Sequence, residues 1–167
     1  EKVGYGSTTS EYCAVTPAKH SSRTCRIMKR VLVTGANKGI GRAVVAALLD
    51  RHPDVFVYLG CRSPARGTDA RNQLAARNQE HLSRTKVVEL DVTSERSVCE
   101  AERGIREDCE ATGTALYGIV NNAGIFSSSA GAAEVLEVNL FGIKRVFDQF
   151  YSVLGAQDAR VVNVTSA

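Results

Sequence analysis

Residues 29–41, KRVLVTGANKGIG, constrain the fold more than any other stretch of the chain. The run 29–34 is short, apolar and β-branched, the composition of a strand, and it stops on a glycine. Directly behind it, GIGRAVVAALLDRH (39–52) spaces Ile40, Val44, Ala47 and Leu48 along one helical face and ends ahead of Pro53. Strand, glycine turn and helix in that order open a βαβ unit. Gly35, Gly39 and Gly41 divide the physical work of such a turn. One permits the tight bend, one lets backbone amides approach a pyrophosphate, and one lets the helix pack close to the strand. The helix N-terminus then favours the phosphate charge. The spacing does not match the G-x-x-x-x-G-K-[ST] turn of phosphate-loop NTPases.

The alternation continues to the end of the chain. Strands are predicted over DVFVYLG (54–60), KVVEL (86–90), ALYGIV (115–120) and RVVNV (160–164), the last reading as a buried strand. Helices are predicted over 68–82, with Ala70, Leu74 and Arg77 in one stripe; over 94–112, opening on Ser94 and Glu95; and over 133–154. Parallel strands joined by helices require a sheet covered on both faces. The expected fold is therefore α/β, a doubly wound parallel sheet of the Rossmann type, C-terminally incomplete after strand five. A chain of 167 residues makes one such domain, expected over 28–167.

Residues 1–27 differ in character: rich in Ser and Thr, without apolar periodicity, and followed by Met28, the one methionine. Upstream translated sequence, an organellar transit peptide and a disordered tail all fit that composition, and Met28 is the expected functional start. Of the formal charge of +3, this segment carries +2, from Lys2, Lys19, Arg23 and Arg26 against Glu1 and Glu11. The remainder has no basic footprint for nucleic acid, and no apolar run is long enough for a membrane span. Cys13, Cys25, Cys61, Cys99 and Cys109 are odd in number and never spaced C-x-x-C, so no metal site is expected. Reduced thiols suit a cytoplasmic protein, or an organellar one if 1–27 is a transit peptide.

Further motifs follow in order: LDVTS (90–94), NNAG (121–124), EVNLFG (137–142) and VNVTSA (162–167). Together with TGANKGIG they resemble the short-chain dehydrogenase/reductase family, and particularly its carbonyl-reductase branch, over residues 28–167. The resemblance implies cofactor contacts at Gly35, Asn37, Lys38, Gly39, Ile40 and Gly41, at Asp91 and Val92 beside the adenine, and at Asn121, Asn122, Ala123 and Gly124. Charge bears on the choice of cofactor. NAD-preferring folds place an acid at the tip of strand two, whereas NADP-preferring ones place cations there. Here the tip runs into GCRSPARG, with Arg62 and Arg66, and Lys38 stands in the glycine turn. NADP(H) is expected, with Lys38 and Arg62 assigned to the 2′-phosphate by the resemblance and Arg66 a further candidate.

For catalysis the resemblance implies Ser166 holding a carbonyl oxygen and Asn139 anchoring a proton-relay water, beside a Tyr and Lys spaced Y-x-x-x-K. Four residues beyond Tyr5, Tyr12, Tyr58, Tyr117 and Tyr151 stand Thr9, Thr16, Arg62, Asn121 and Gly155, so that pair is expected further along a longer chain. Thr165 replaces the usual Ser, and the loop IFSSSAGA (125–132) is short for the family. The expected function is NADPH-dependent reduction of a small-molecule carbonyl compound to an alcohol. A non-catalytic dinucleotide-binding module and an inactive gene fragment are the alternatives. Val135, Val138, Phe141, Val146 and Phe150 stripe the long helix as core or as a subunit contact, leaving monomer and homo-oligomer both open. Ending at strand five, the sheet would bare an apolar edge, and chain 1–167 alone is expected to fold poorly.

Overall fold

The computed structural model describes residues 28–126 and 131–165. The segment 1–27 and Ser166 therefore lie outside the described residues. Five strands, β1 (Lys29–Thr34), β2 (Val55–Cys61), β3 (Thr85–Glu89), β4 (Leu116–Asn121) and β5 (Arg160–Asn163), form one sheet in the order β3-β2-β1-β4-β5. Every pairing is parallel. This is the doubly wound arrangement expected from the βα alternation, and β1 and β4 flank the point where the order reverses.

Side-chain alternation along the strands feeds two cores. Val31, Val33, Val57 and Leu59 point to one face, where α1 (Gly39–Arg51) and α2 (Pro64–Arg77) supply Val45, Leu49, Ala70 and Leu74. Leu32 and Tyr58 point to the other, against Val98, Ala101 and Ile105 of α4 (Glu95–Ala111) and Val146 and Phe150 of α6 (Gly142–Phe150). Each fully buried branched side chain contributes about 1.5–3 kcal/mol, and the two layers fix the strand ends that build the site.

Several expected boundaries move. The helix expected over 68–82 begins at Pro64, where Ser63 caps the backbone N–H of Arg66, and it ends at Arg77. Asn78 turns to extended backbone and its side chain accepts from Glu80 N, opening a separate turn, α3 (Glu80–Ser83). The helix expected over 133–154 is α5 (Ala132–Leu136), a π-helical turn (Glu137–Phe141) and α6. Val138, Val146 and Phe150 of its stripe are core, Val135 is half-buried, and Phe141 is exposed. Strand five is not buried: Val161 and Val162 are 40% and 51% exposed, because β5 is the edge strand of the sheet.

The face of α1 is rotated from expectation. Gly41, Val45, Ala46 and Leu49 are buried, Val44, Ala47 and Leu48 are half-buried, and Ile40 is 65% exposed. The glycine turn sets this phase. A Cβ on Gly41 would lie 2.4 Å from both the Gly35 carbonyl oxygen and Asn122 Nδ2, so Gly41 itself must face inward.

Candidate functional site

A cleft of about 550 Å³ opens at the C-terminal ends of the strands, at the β1/β4 reversal. Its wall is assembled from four connections. After β1 come Gly35, Asn37, Lys38, Gly39, Ile40 and Gly41; after β2, Cys61 and Arg62; after β3, Leu90, Asp91, Val92 and Thr93; after β4, Asn122, Ala123, Gly124 and Ile125. Val138 closes it from the π-helical turn.

The glycine turn is locked from behind. Gly35 and Gly39 take positive φ, 65° and 54°, a region open to glycine at little cost. Thr34 Oγ1 accepts from the backbone N–H groups of Asn122 (3.0 Å) and Ala123 (2.9 Å). Asn122 Nδ2 donates back to the carbonyls of Thr34 (3.0 Å) and Gly35 (3.3 Å). The turn after β1 and the turn after β4 are thus one hydrogen-bonded body.

The α1 N-terminus differs from those of α2 and α4. Ser63 and Ser94 cap α2 and α4 with their side chains, whereas Lys38 makes no side-chain cap and the first turn of α1 holds no acid. The first backbone N–H groups of α1 therefore face the cleft without a carboxylate or hydroxyl competing for them, the condition that suits a bound phosphate. Lys38 and Arg62 are exposed, line the same cleft, and have no ion-pair partner among the described residues. The tip of β2 presents Cys61, and burial pushes its thiol up from the ordinary value, so the group is neutral there.

The other walls are equally defined. Asp91 Oδ1 accepts from Thr93 N (3.0 Å) and Thr93 Oγ1 (2.8 Å), while Asp91 N donates to Ser97 Oγ (2.9 Å). Asn139 Oδ1 accepts from Ile125 N and its Nδ2 donates to Ile125 O, both at 2.9 Å. A Cβ on Gly124 would sit 3.3 Å from Asn139 Oδ1. The π-turn therefore aims Asn139 at the backbone behind NNAG; such turns recur at functional sites.

A family model for the short chain dehydrogenases matches residues 29–167. The chain belongs to this family. The bovine mitochondrial D-beta-hydroxybutyrate dehydrogenase is 34% identical over 146 residues, covering 83% of this chain and 41% of that enzyme. An NADPH-bound carbonyl reductase from chicken fatty liver superposes with a TM-score of 0.64 at 28% identity, over 75% of this chain and 51% of that one. An alcohol dehydrogenase from the archaeon Thermococcus sibiricus, complexed with 5-hydroxy-NADP, gives 0.68 at 29% identity, over 83% and 58%. The short-chain dehydrogenase chain here thus spans under half the length of the bovine relative, and the relatives do not single out the carbonyl-reductase branch.

Not every residue expected in the site reaches the cleft. Arg66 sits exposed in the first turn of α2, outside the cleft lining. Asn121 is buried and ties β4 to β5, its Nδ2 donating to Asn163 Oδ1 (2.9 Å). Asn139 stands one residue behind the lining residue Val138. Cys61, Leu90, Thr93, Ile125 and Val138 line the cleft without having been expected to. Cys61, Leu90, Thr93 and Ile125 each adjoin a motif residue, which could have exposed them. Val138 stands beside Asn139 inside EVNLFG, but its place in the apolar stripe of the long helix reads equally as core.

Proposed function

We propose that this chain is the cofactor-binding part of an NADPH-dependent reductase of small-molecule carbonyl compounds, in the carbonyl-reductase branch of its family. One observation carries the choice of cofactor: Lys38 and Arg62 line the cleft with no ion-pair partner among the described residues, and neutral Cys61 stands where an acid would hold an NAD ribose. The two solved relatives named above with NADPH and 5-hydroxy-NADP support the same reading.

When bound, the dinucleotide supplies the hydride. The chain's own residues bind and orient. The open α1 N-terminus takes the pyrophosphate, Lys38 and Arg62 the 2′-phosphate, and Asp91 and Val92 the adenine side. Asn122 holds the glycine turn in place, and Asn139, fixed to both polar atoms of Ile125's backbone, is assigned the proton-relay water. Ser166, by the family resemblance, is assigned the carbonyl oxygen. The proposal extends to a cytoplasmic location, on the spacing of the cysteines alone.

The full natural chain, mixed with NADPH and a panel of aldehydes and ketones, is expected to consume NADPH and form the matching alcohol in equal amount. NADPH binding with no turnover across the panel would replace the reductase with a dinucleotide-binding module.

A further inference from the structure

The loop that forms the Asp91–Val92 wall of the cleft is gripped from outside by a residue that does not line it. Arg145 of α6 donates from Nη1 to the Val92 carbonyl (2.5 Å) and from Nη2 to Glu137 Oε1 (2.7 Å). Glu137 opens the π-turn that carries Asn139. One guanidinium therefore bridges the wall after β3 to the π-turn whose Val138 also lines the cleft. Its side chain is only 21% exposed. Direct packing lies beside it: a Cβ on Gly142 would come within 2.8 Å of Val92 Cγ2, so α6 and this loop are already in van der Waals contact. A planar guanidinium can serve a carbonyl and a carboxylate at once, whereas an ammonium is a single point donor.

We infer that Arg145 is a positioning residue for the cofactor: it sets the spacing between the Val92 wall and the π-turn bearing Asn139. The inference rests on the dinucleotide reading of the cleft. Arg145 lies outside the cleft lining; it acts through the Val92 backbone, on the side of the cleft assigned to the adenine half.

The test uses the full natural chain, with NADPH and adenosine 2′,5′-bisphosphate as calorimetric probes, the latter reporting the adenine half alone. Arg145→Met is expected to weaken both probes by about tenfold in protein that still unfolds cooperatively, the loss of roughly one charge-assisted hydrogen bond. Arg145→Lys, able to serve one acceptor, is expected to fall between. Should Arg145→Met not fold, Glu137→Ala, which frees the guanidinium without altering the wall, decides the matter and is expected to weaken both probes less than tenfold but measurably. Unchanged affinities in the folded variants, beside a wild type that binds NADPH, would overturn the role of Arg145 alone. A wild type that binds neither probe would overturn the dinucleotide reading and this inference with it.

Discussion

Asn122 and Thr34, 88 residues apart in sequence, are joined by two hydrogen bonds of 3.0 Å: Asn122 N to Thr34 Oγ1, and Asn122 Nδ2 to the Thr34 carbonyl. The pairing closes the strand-order reversal into one rigid mouth. Thr34 is buried, and its hydroxyl also receives Ala123 N at 2.9 Å. Thr34→Val keeps the shape and strands two N–H groups, so it is expected to cost about 2 kcal/mol in denaturant unfolding. Thr34→Ser is expected to retain most of the stability.

Gly41 and Gly104 make a matched pair of opposite sign. A methyl on Gly41 would meet the Gly35 carbonyl and Asn122 Nδ2 at 2.4 Å, whereas one on Gly104, inside α4, would meet nothing within 4 Å. Gly41→Ala is expected to destabilise by about 1–3 kcal/mol and to weaken NADPH binding. Gly104→Ala is expected to stabilise by about 0.5–1 kcal/mol, because it removes backbone entropy from the unfolded chain in a helix with room for the methyl. Thermal or urea unfolding of the two variants checks both signs.

These two glycines also show how far the fold was legible from residues alone. The βα order, the five strands and the glycine turn follow from periodicity and from Gly35, Gly39 and Gly41, which is why strand boundaries shift by only about one residue. The rotation of α1 was not legible. Apolar spacing favours an inward Ile40, but the steric demand at Gly41 outranks it and turns Ile40 into the cleft. The break at Asn78 and the π-turn at 137–141 depend on hydrogen bonds to partners that periodicity cannot see. In the site, the motif residues nearly all reach the cleft. Arg66 does not, because Ser63 and Pro64 start a helix that carries it away on an exposed turn.

Asn139 is expected to matter for turnover more than for binding. Asn139→Ala removes both bonds to Ile125 while leaving the glycine turn and the cations untouched. In the full natural chain kcat is expected to fall by about a hundredfold, the scale of lost proton-transfer assistance, with NADPH affinity little changed. Steady-state kinetics beside a binding titration separates the two.

Alkaline solution is expected to weaken the fold. Burial raises the Cys61 and Cys109 thiols above their ordinary value of 9.0 and the Tyr58 phenol above its ordinary 10.0; the Arg30 guanidinium beside Tyr58 opposes its shift only in part. The unfolded chain releases these protons first. Stability is therefore full below about pH 9 and falls as pH climbs further, since the folded state then binds more protons than the unfolded. Urea midpoints measured across that range check the sign. A midpoint that rises with pH above 9 would refute it.

Lys38 and Arg62, which have no ion-pair partner among the described residues, are proposed to make this cleft a site for a 2′-phosphorylated dinucleotide. A side-by-side titration of the full natural chain with NADPH and NADH tests it most directly. NADPH is expected to bind tighter by at least about tenfold, the scale of one or more charge-assisted hydrogen bonds, with the preference lost in the Lys38→Ala, Arg62→Ala double variant. Equal affinity for the two cofactors in the unmodified protein would contradict it.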